Sequence, residues 1–437
     1  MNPRGSPGRR LGVLVCFALC AAGAAGALDV EIAYRTRSDS QQGFFPYGHQ
    51  SAPLSYDPPK GEWKLPDTLT GKPLYGAIEF GDRTHLMVLD RENESDDFYT
   101  RLRFDGNGNR DVTDDPVHTA QSRQSDRHRF LNVERIAATV MLQGKELPYL
   151  FGVQFHAYNQ NADSELDLRY VNFYISSHSA YRGTFTLDGA AYDVWLGDGN
   201  ANGRFDDVFK ALPNRTEGPI YGMADSLFLA RANEEVGYSH SQSLGRHLVI
   251  GKHVFESEID IPGGVMRLTP VDGPHATLSF PAELVSLQVY QPDTNAVVTI
   301  LPEGKSAPVP PGAYRLLRYR LQGEDAGDAL WEVVSAGSVD GPLVQAVAGA
   351  PGKIPLGEPF APKVTVQYYG VRNNKPQARL EFRVNGSGNE IVSDLRVVNG
   401  KSKVKLSSSD SNRPAEPTYR IVNTEGEVVA SGRFEYG

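Results

Sequence analysis

Along most of this chain apolar and polar side chains alternate with a period of two, the spacing of a strand with one buried face. The three-to-four spacing of an amphipathic helix is almost absent. Alternation predicts strands at 74–80, 85–89 and 100–104, then a hairpin over 138–155 about Gly144-Lys145. A strand at 170–175 follows, and 183–187 returns as 192–196 across Asp188-Gly189, a strong two-residue turn signal. Shorter strands are expected at 247–250, 253–258 and 265–268. Before all of these, residues 28–70 carry many turn formers around Phe44, Phe45, Tyr47 and Trp63, and read as an extended arm packing its rings onto the next unit. Only 207–212 offers a turn or two of helix.

The same alternation continues at 285–290, 297–301 and 313–321, and after a Pro/Gly-rich linker at 351–359 it resumes. The last strands are expected at 364–369, 378–384, 395–398, 403–406, 419–422 and 428–434. The chain therefore reads as all-β and multi-domain: an N-terminal β domain over 28–275, a small β-sandwich over 276–350, and a second over 360–437. At 437 residues it is too long for one ordinary core. The run Val309-Pro310-Pro311-Gly312-Ala313-Tyr314-Arg315-Leu316 resembles the turn-and-strand ending of carboxypeptidase-regulatory-type sandwiches. The short strands after residue 360 resemble an immunoglobulin-like sandwich, without the cysteine pair or core tryptophan of antibody domains.

Residues 1–27 have the layout of a secretory signal: Arg4, Arg9 and Arg10, an apolar run from Leu11 to Cys20, and Ala25-Gly26-Ala27 for cleavage. Export to the periplasm or the extracellular space is the expectation. Both cysteines, Cys16 and Cys20, fall inside this segment, and Leu19 stands where a lipidation box wants a small residue. The exported chain then has no thiol for a disulfide, so any cross-link must come from a metal. No later stretch approaches the roughly 20 apolar residues of a transmembrane segment. The 44 basic and 53 acidic side chains give a net charge of −9. Without the three arginines of the signal the balance is 41 against 53, or −12. That balance argues against nucleic acid, which needs clustered Lys and Arg.

Two acidic, glycine-containing loops are the sharpest local signal. In Asp198-Gly199-Asn200-Ala201-Asn202-Gly203-Arg204-Phe205-Asp206-Asp207, Asp198, Asn200 and Asn202 place oxygens at positions one, three and five. Gly203 permits a sharp turn, Arg204 offers its carbonyl, and Asp206 stands at position nine, a pattern suited to calcium, which takes six to eight oxygen ligands. In Asp105-Gly106-Asn107-Gly108-Asn109-Arg110-Asp111-Val112-Thr113-Asp114-Asp115 the alternating places belong to Asp105, Asn107 and Asn109. Asp111, Asp114 or Asp115 closes the shell. Both loops resemble the calcium loops of the EF-hand and dockerin families over about ten residues each. Position twelve is Phe209 or Pro116 where those families have a bidentate Glu, and a strand, not a helix, leads in, so the helix–loop–helix fold is not implied. The loops lie 93 residues apart in similar settings, but their flanks do not align. A further acidic run, 90–97, reads as a solvated turn.

Catalytic signatures are missing from the sequence. There is no Gly-x-Ser-x-Gly, no His-Glu-x-x-His and no phosphate-cradling glycine loop, and the ten histidines are isolated and all precede Ala276. The expectation is an exported, calcium-stabilised, non-enzymatic binding or structural protein whose partner is a glycan or another envelope protein. The alternative is a carbohydrate-active or other hydrolase with a motif-free carboxylate pair, in which Trp63, Trp195, Tyr170 and Tyr192 would stack on sugar rings.

Overall fold

A computed structural model describes residues 26–37, 43–120, 123–125, 128–158, 165–212, 218–281, 284–372 and 375–436. The segment expected to be a secretory signal, 1–27, lies outside the described residues, apart from its last two. Among those described, the fold is all-β. Helix is limited to two three-residue 3-10 turns, Leu168–Tyr170 and Tyr238–His240. No described helix is long and apolar enough to cross a membrane.

Alternation places the strands. Leu74–Phe80 matches its expected span, and the hairpin expected over 138–155 grows into His128–Leu142 and Lys145–Tyr158, with every second residue of the second strand buried from Leu147 to Val153. Its turn centres one residue earlier than expected, on Gln143 (φ 51°) and Gly144 (φ 78°), because a two-residue hairpin turn of this hand needs two consecutive left-handed residues. Asp188 (φ 49°) and Gly189 (φ 82°) make the equivalent turn between Ser179–Leu187 and Ala190–Gly197. The arm expected over 28–70 begins as a strand. Leu28–Thr36 lies between Ser179–Leu187 and Val265–Pro270 in a long mixed sheet. Further along the arm Phe45 packs with Trp195 and Phe228, and Trp63 lies on Tyr75, Leu86, Val88 and Val112, but Tyr47 stays exposed and His49–Ser51 forms a short strand on Val171–Ser177.

One large core spans Val30 to Leu268, and a second is built from Val249 to Leu356. The long sheet passes from one to the other where His247–Ile250 pairs in parallel with Ala296–Leu301. It continues through Leu330–Ala336 to Ile391–Asn399 and the hairpin Ala361–Arg372/Lys375–Asn385. That hairpin leaves Val364, Val366 and Tyr368 exposed.

Two expected elements do not form. Residues 403–406 make only an isolated bridge, Leu406 to Pro414, because Ser402 Oγ donates to Asp325 at 2.6 Å and its own Oγ takes the Val404 N–H at 3.0 Å, turning the backbone away from a ladder. Residues 207–212 are extended, not helical. The Asp207 and Phe209 N–H groups bond outward to Asp225 and Leu244, and Lys210–Ala211 pairs with Gly222–Met223.

Candidate functional site

The two acidic loops are the same structure built twice. Asp105 Oδ1 accepts the Asn109 N–H at 3.1 Å and its Oδ2 the Arg110 N–H at 3.0 Å. Asp198 does the same to Asn202 at 3.1 Å and Gly203 at 2.7 Å. Asn107 and Asn200 each accept the N–H two residues on, at 2.9 and 3.3 Å. Asn109 and Asn202 repeat this at 2.7 and 2.8 Å, and their amide nitrogens donate to Asp114 and Asp207 at 2.9 and 2.7 Å. The backbone hand matches as well: Gly108 and Ala201 are left-handed (φ 68° and 51°), and so are Arg110 and Gly203 (φ 68° and 80°). The registers of the two loops are therefore locked at one constant offset from first carboxylate to last.

The asparagine amides meet Asp207 and Asp114, not Asp206 and Asp111. Asp207, one place after Asp206, is the carboxylate that meets the Asn202 amide, and Asn200 Nδ2 reaches the same oxygen at 3.0 Å. Its counterpart is Asp114. Asp111 is drawn away from the loop interior: Lys64 Nζ stands 2.6 Å from its Oδ2, and its other oxygen takes the Thr113 N–H. The Lys64 ammonium, with Thr113, holds this carboxyl down at about 2. Arg204 gives its N–H to Asn202 and its guanidinium pairs with Asp82.

The two first carboxylates are equally buried, but their surroundings differ. Asp198 is 1 % exposed, and its Oδ2 also accepts the Tyr149 hydroxyl at 2.7 Å. Asp225, equally buried, staples the loop from outside by accepting the Gly199 N–H at 2.9 Å and the Asp207 N–H at 2.7 Å. Burial pushes both carboxyls up, Asp198 to about 7, with Asp207 adding repulsion. In the first loop burial, then Asp105, Asp114 and Asp111, raises Asp115 to about 6, and its Oδ2 has no partner among the described residues. Gly199 is required because a side chain there would collide with the Ala224 carbonyl.

Tyr149, Asp225 and His85 carry no sequence signal of these roles. His85 is fully buried beneath the first loop, and its Nδ1 lies 2.6 Å from the Asp105 carbonyl. A carbonyl only accepts, so Nδ1 bears the proton, and burial keeps the ring neutral. The arm braces both loops: Lys64 exchanges backbone bonds with Arg110 and Val112, and Gln50 Nε2 donates to the Ala201 carbonyl at 2.5 Å.

Chemically the loops offer carboxylate, amide and backbone oxygens, the donor set of a hard cation, and the unpartnered Asp115 oxygen fits one. Among the described residues no three His, Cys, Asp or Glu side chains converge as a metal cluster, so any ion held here depends on the asparagines. Of the aromatic residues considered for sugar stacking, Trp195 and Tyr192 are buried in the cores, and Trp63 is packed against one. Tyr170 alone is exposed. No protein-family model, curated protein or solved structure matches this chain.

Proposed function

We propose that this is an exported, calcium-supported, non-enzymatic binding or structural protein of the bacterial envelope or extracellular space. The observation that carries the reading is the repetition of one oxygen-rich loop at 105–114 and 198–207, each built around a first carboxylate already bridging two N–H groups. In that posture an asparagine amide meets a later Asp in each loop, and in the second loop the half-buried Asp207 stands among the buried Asp198 and Asp225. A divalent cation removes that repulsion, and asparagines in place of carboxylates set the affinity low, on the order of 10⁻⁴ to 10⁻³ M, as suits extracellular calcium. The ions act as struts in a chain whose exported part has no cysteine. On this reading the strands after residue 360 form an immunoglobulin-like module, and the partner is a glycan or another envelope protein.

A thermal melt of the mature protein with excess calcium and with chelator tests the reading, since a ligand bound only by the native state raises the midpoint. A midpoint that calcium leaves unmoved, with no metal retained after desalting, removes it.

A further inference from the structure

The strands after residue 360 carry no core of their own. Among the described residues no hydrophobic side chain beyond Leu356 is buried, and the second core takes only Phe360 and Val392 from this stretch. A sheet with one apolar face has to bury that face against another layer, and a hairpin left without one is marginally stable in water.

The outermost hairpin of the long sheet shows where a layer is missing. Ala361–Arg372 is the edge strand, paired on one side with Lys375–Asn385. Val364 stands opposite Phe382, Val366 opposite Leu380 and Tyr368 opposite Ala378, so these six share one face, and no charge interrupts it. Lys363, Thr365 and Gln367, opposite Arg383, Glu381 and Arg379, lie on the other face, where Arg383 pairs with Glu381 at 2.8 Å. The final hairpin, Thr418–Val422 and Val428–Arg433, covers only the base of the apolar face. The Phe434 ring that follows it is centred 5.3 Å from Phe382 and 5.1 Å from Tyr419. Beyond that point the face is open, with Val364 52 %, Val366 63 % and Tyr368 64 % exposed.

We infer that this face is covered by the same face of a second copy of the chain, the two hairpins packing into a sandwich that neither completes alone. An uncharged face meets its twofold mate with no like charges opposed, and the cations of the opposite face stay outside in water. Together two such faces remove on the order of 1,000 Å² from solvent, about the least area of a specific interface, so the contact is a reversible one. Val366, in the middle of the exposed stripe, lies at the centre of that contact. The inference does not depend on calcium in the loops or on a glycan ligand.

Sedimentation velocity of the mature protein at fixed excess calcium, over about 1 to 200 µM, tests it. A monomer gives way to a dimer with a midpoint on the order of 10⁻⁵ M, and raising salt from about 0.05 to 0.5 M shifts that midpoint less than about threefold, since no ion pair crosses the contact. Val366→Lys places a charge in the middle of the face and weakens association about a hundredfold, whereas Thr365→Lys on the opposite face leaves it within about threefold. Both positions are exposed in the monomer, so the melting midpoint of the dilute protein stays where it was. If Val366→Lys does lower it, Tyr368→Ser decides, with an expected loss of about tenfold in association. A protein that stays monomeric at about 200 µM overturns the inference and leaves the face to a different chain. A dimer that the deciding variant leaves intact overturns it as well. So does one that salt dissociates, which would rest on the basic residues of the hairpin and the acidic body of the other copy.

Discussion

The Tyr149 hydroxyl donates to Asp198 Oδ2 at 2.7 Å, joining the middle of a long hairpin to the first residue of an acidic loop 49 positions later. Both residues are at most 1 % exposed, so no water replaces the contact. Tyr149→Phe leaves one lone pair of a buried carboxylate unmet. Stability should fall by about 1–3 kcal/mol, read by denaturant unfolding. An unchanged midpoint would mean that this oxygen finds another donor.

The closing carboxylate can be identified by paired substitutions. Asp207→Asn and Asp114→Asn should each shrink the rise in melting midpoint that calcium produces, because each removes the charge at which a loop's amides converge. Asp206→Asn and Asp111→Asn should leave most of that rise intact, since Asp111 is committed to Lys64. The reverse ranking would restore position nine, as read from EF-hand-like spacing, to the shell.

How much of this was readable beforehand follows from the range of the interactions involved. Strand positions came through because alternation is local: Leu28, Val30, Ile32 and Tyr34 already alternate with Asp29, Glu31 and Arg35, though the turn formers after them suggested an arm. The first, third and fifth loop positions form a local pattern for the same reason, being tied to N–H groups only two to five residues on. Asp225, Tyr149 and His85 reach the loops across 18 to 49 residues of sequence, through pairings that no local pattern encodes. The last position falls between these cases: an EF-hand-like count gives position nine, Asp206, while the carboxylate that the Asn202 amide meets is the tenth, Asp207.

Acidity offers an independent check on the metal-free protein. Tyr149, Asp207 and Asp225 face Asp198, along with the Asn202 and Gly203 N–H groups, and burial leaves Asp198 and Asp225 holding protons more tightly when folded than when unfolded. A raised folded-state value contributes stability that is complete below the ordinary carboxylate pKa of about 4 and is lost as pH climbs toward the raised value. In chelator the melting midpoint should therefore fall between about pH 5 and pH 8, and less so in Asp225→Asn. Calcium needs the ionised carboxylates, so its stabilising effect should grow over the same interval. A chelated protein that becomes more stable toward pH 8 would contradict the buried-charge account.

Loop 198–207 is packed more tightly than its twin, and a single methyl group should show it. Gly203 is left-handed (φ 80°), and a Cβ there would stand 2.8 Å from Val140 Cγ1 and 3.3 Å from the Gly81 nitrogen. Arg110 holds the matching conformation in the first loop with its guanidinium 5.5 Å from the Trp63 ring, so that position has room for a side chain. Gly203→Ala should cost about 2 kcal/mol from strained backbone and overlap together. Arg110→Ala keeps the backbone hand and should cost less than about 1 kcal/mol, mostly the lost ring contact. Both follow from denaturant unfolding at fixed calcium, and equal costs would mean that the two loops, alike in their hydrogen bonds, are also alike in their packing.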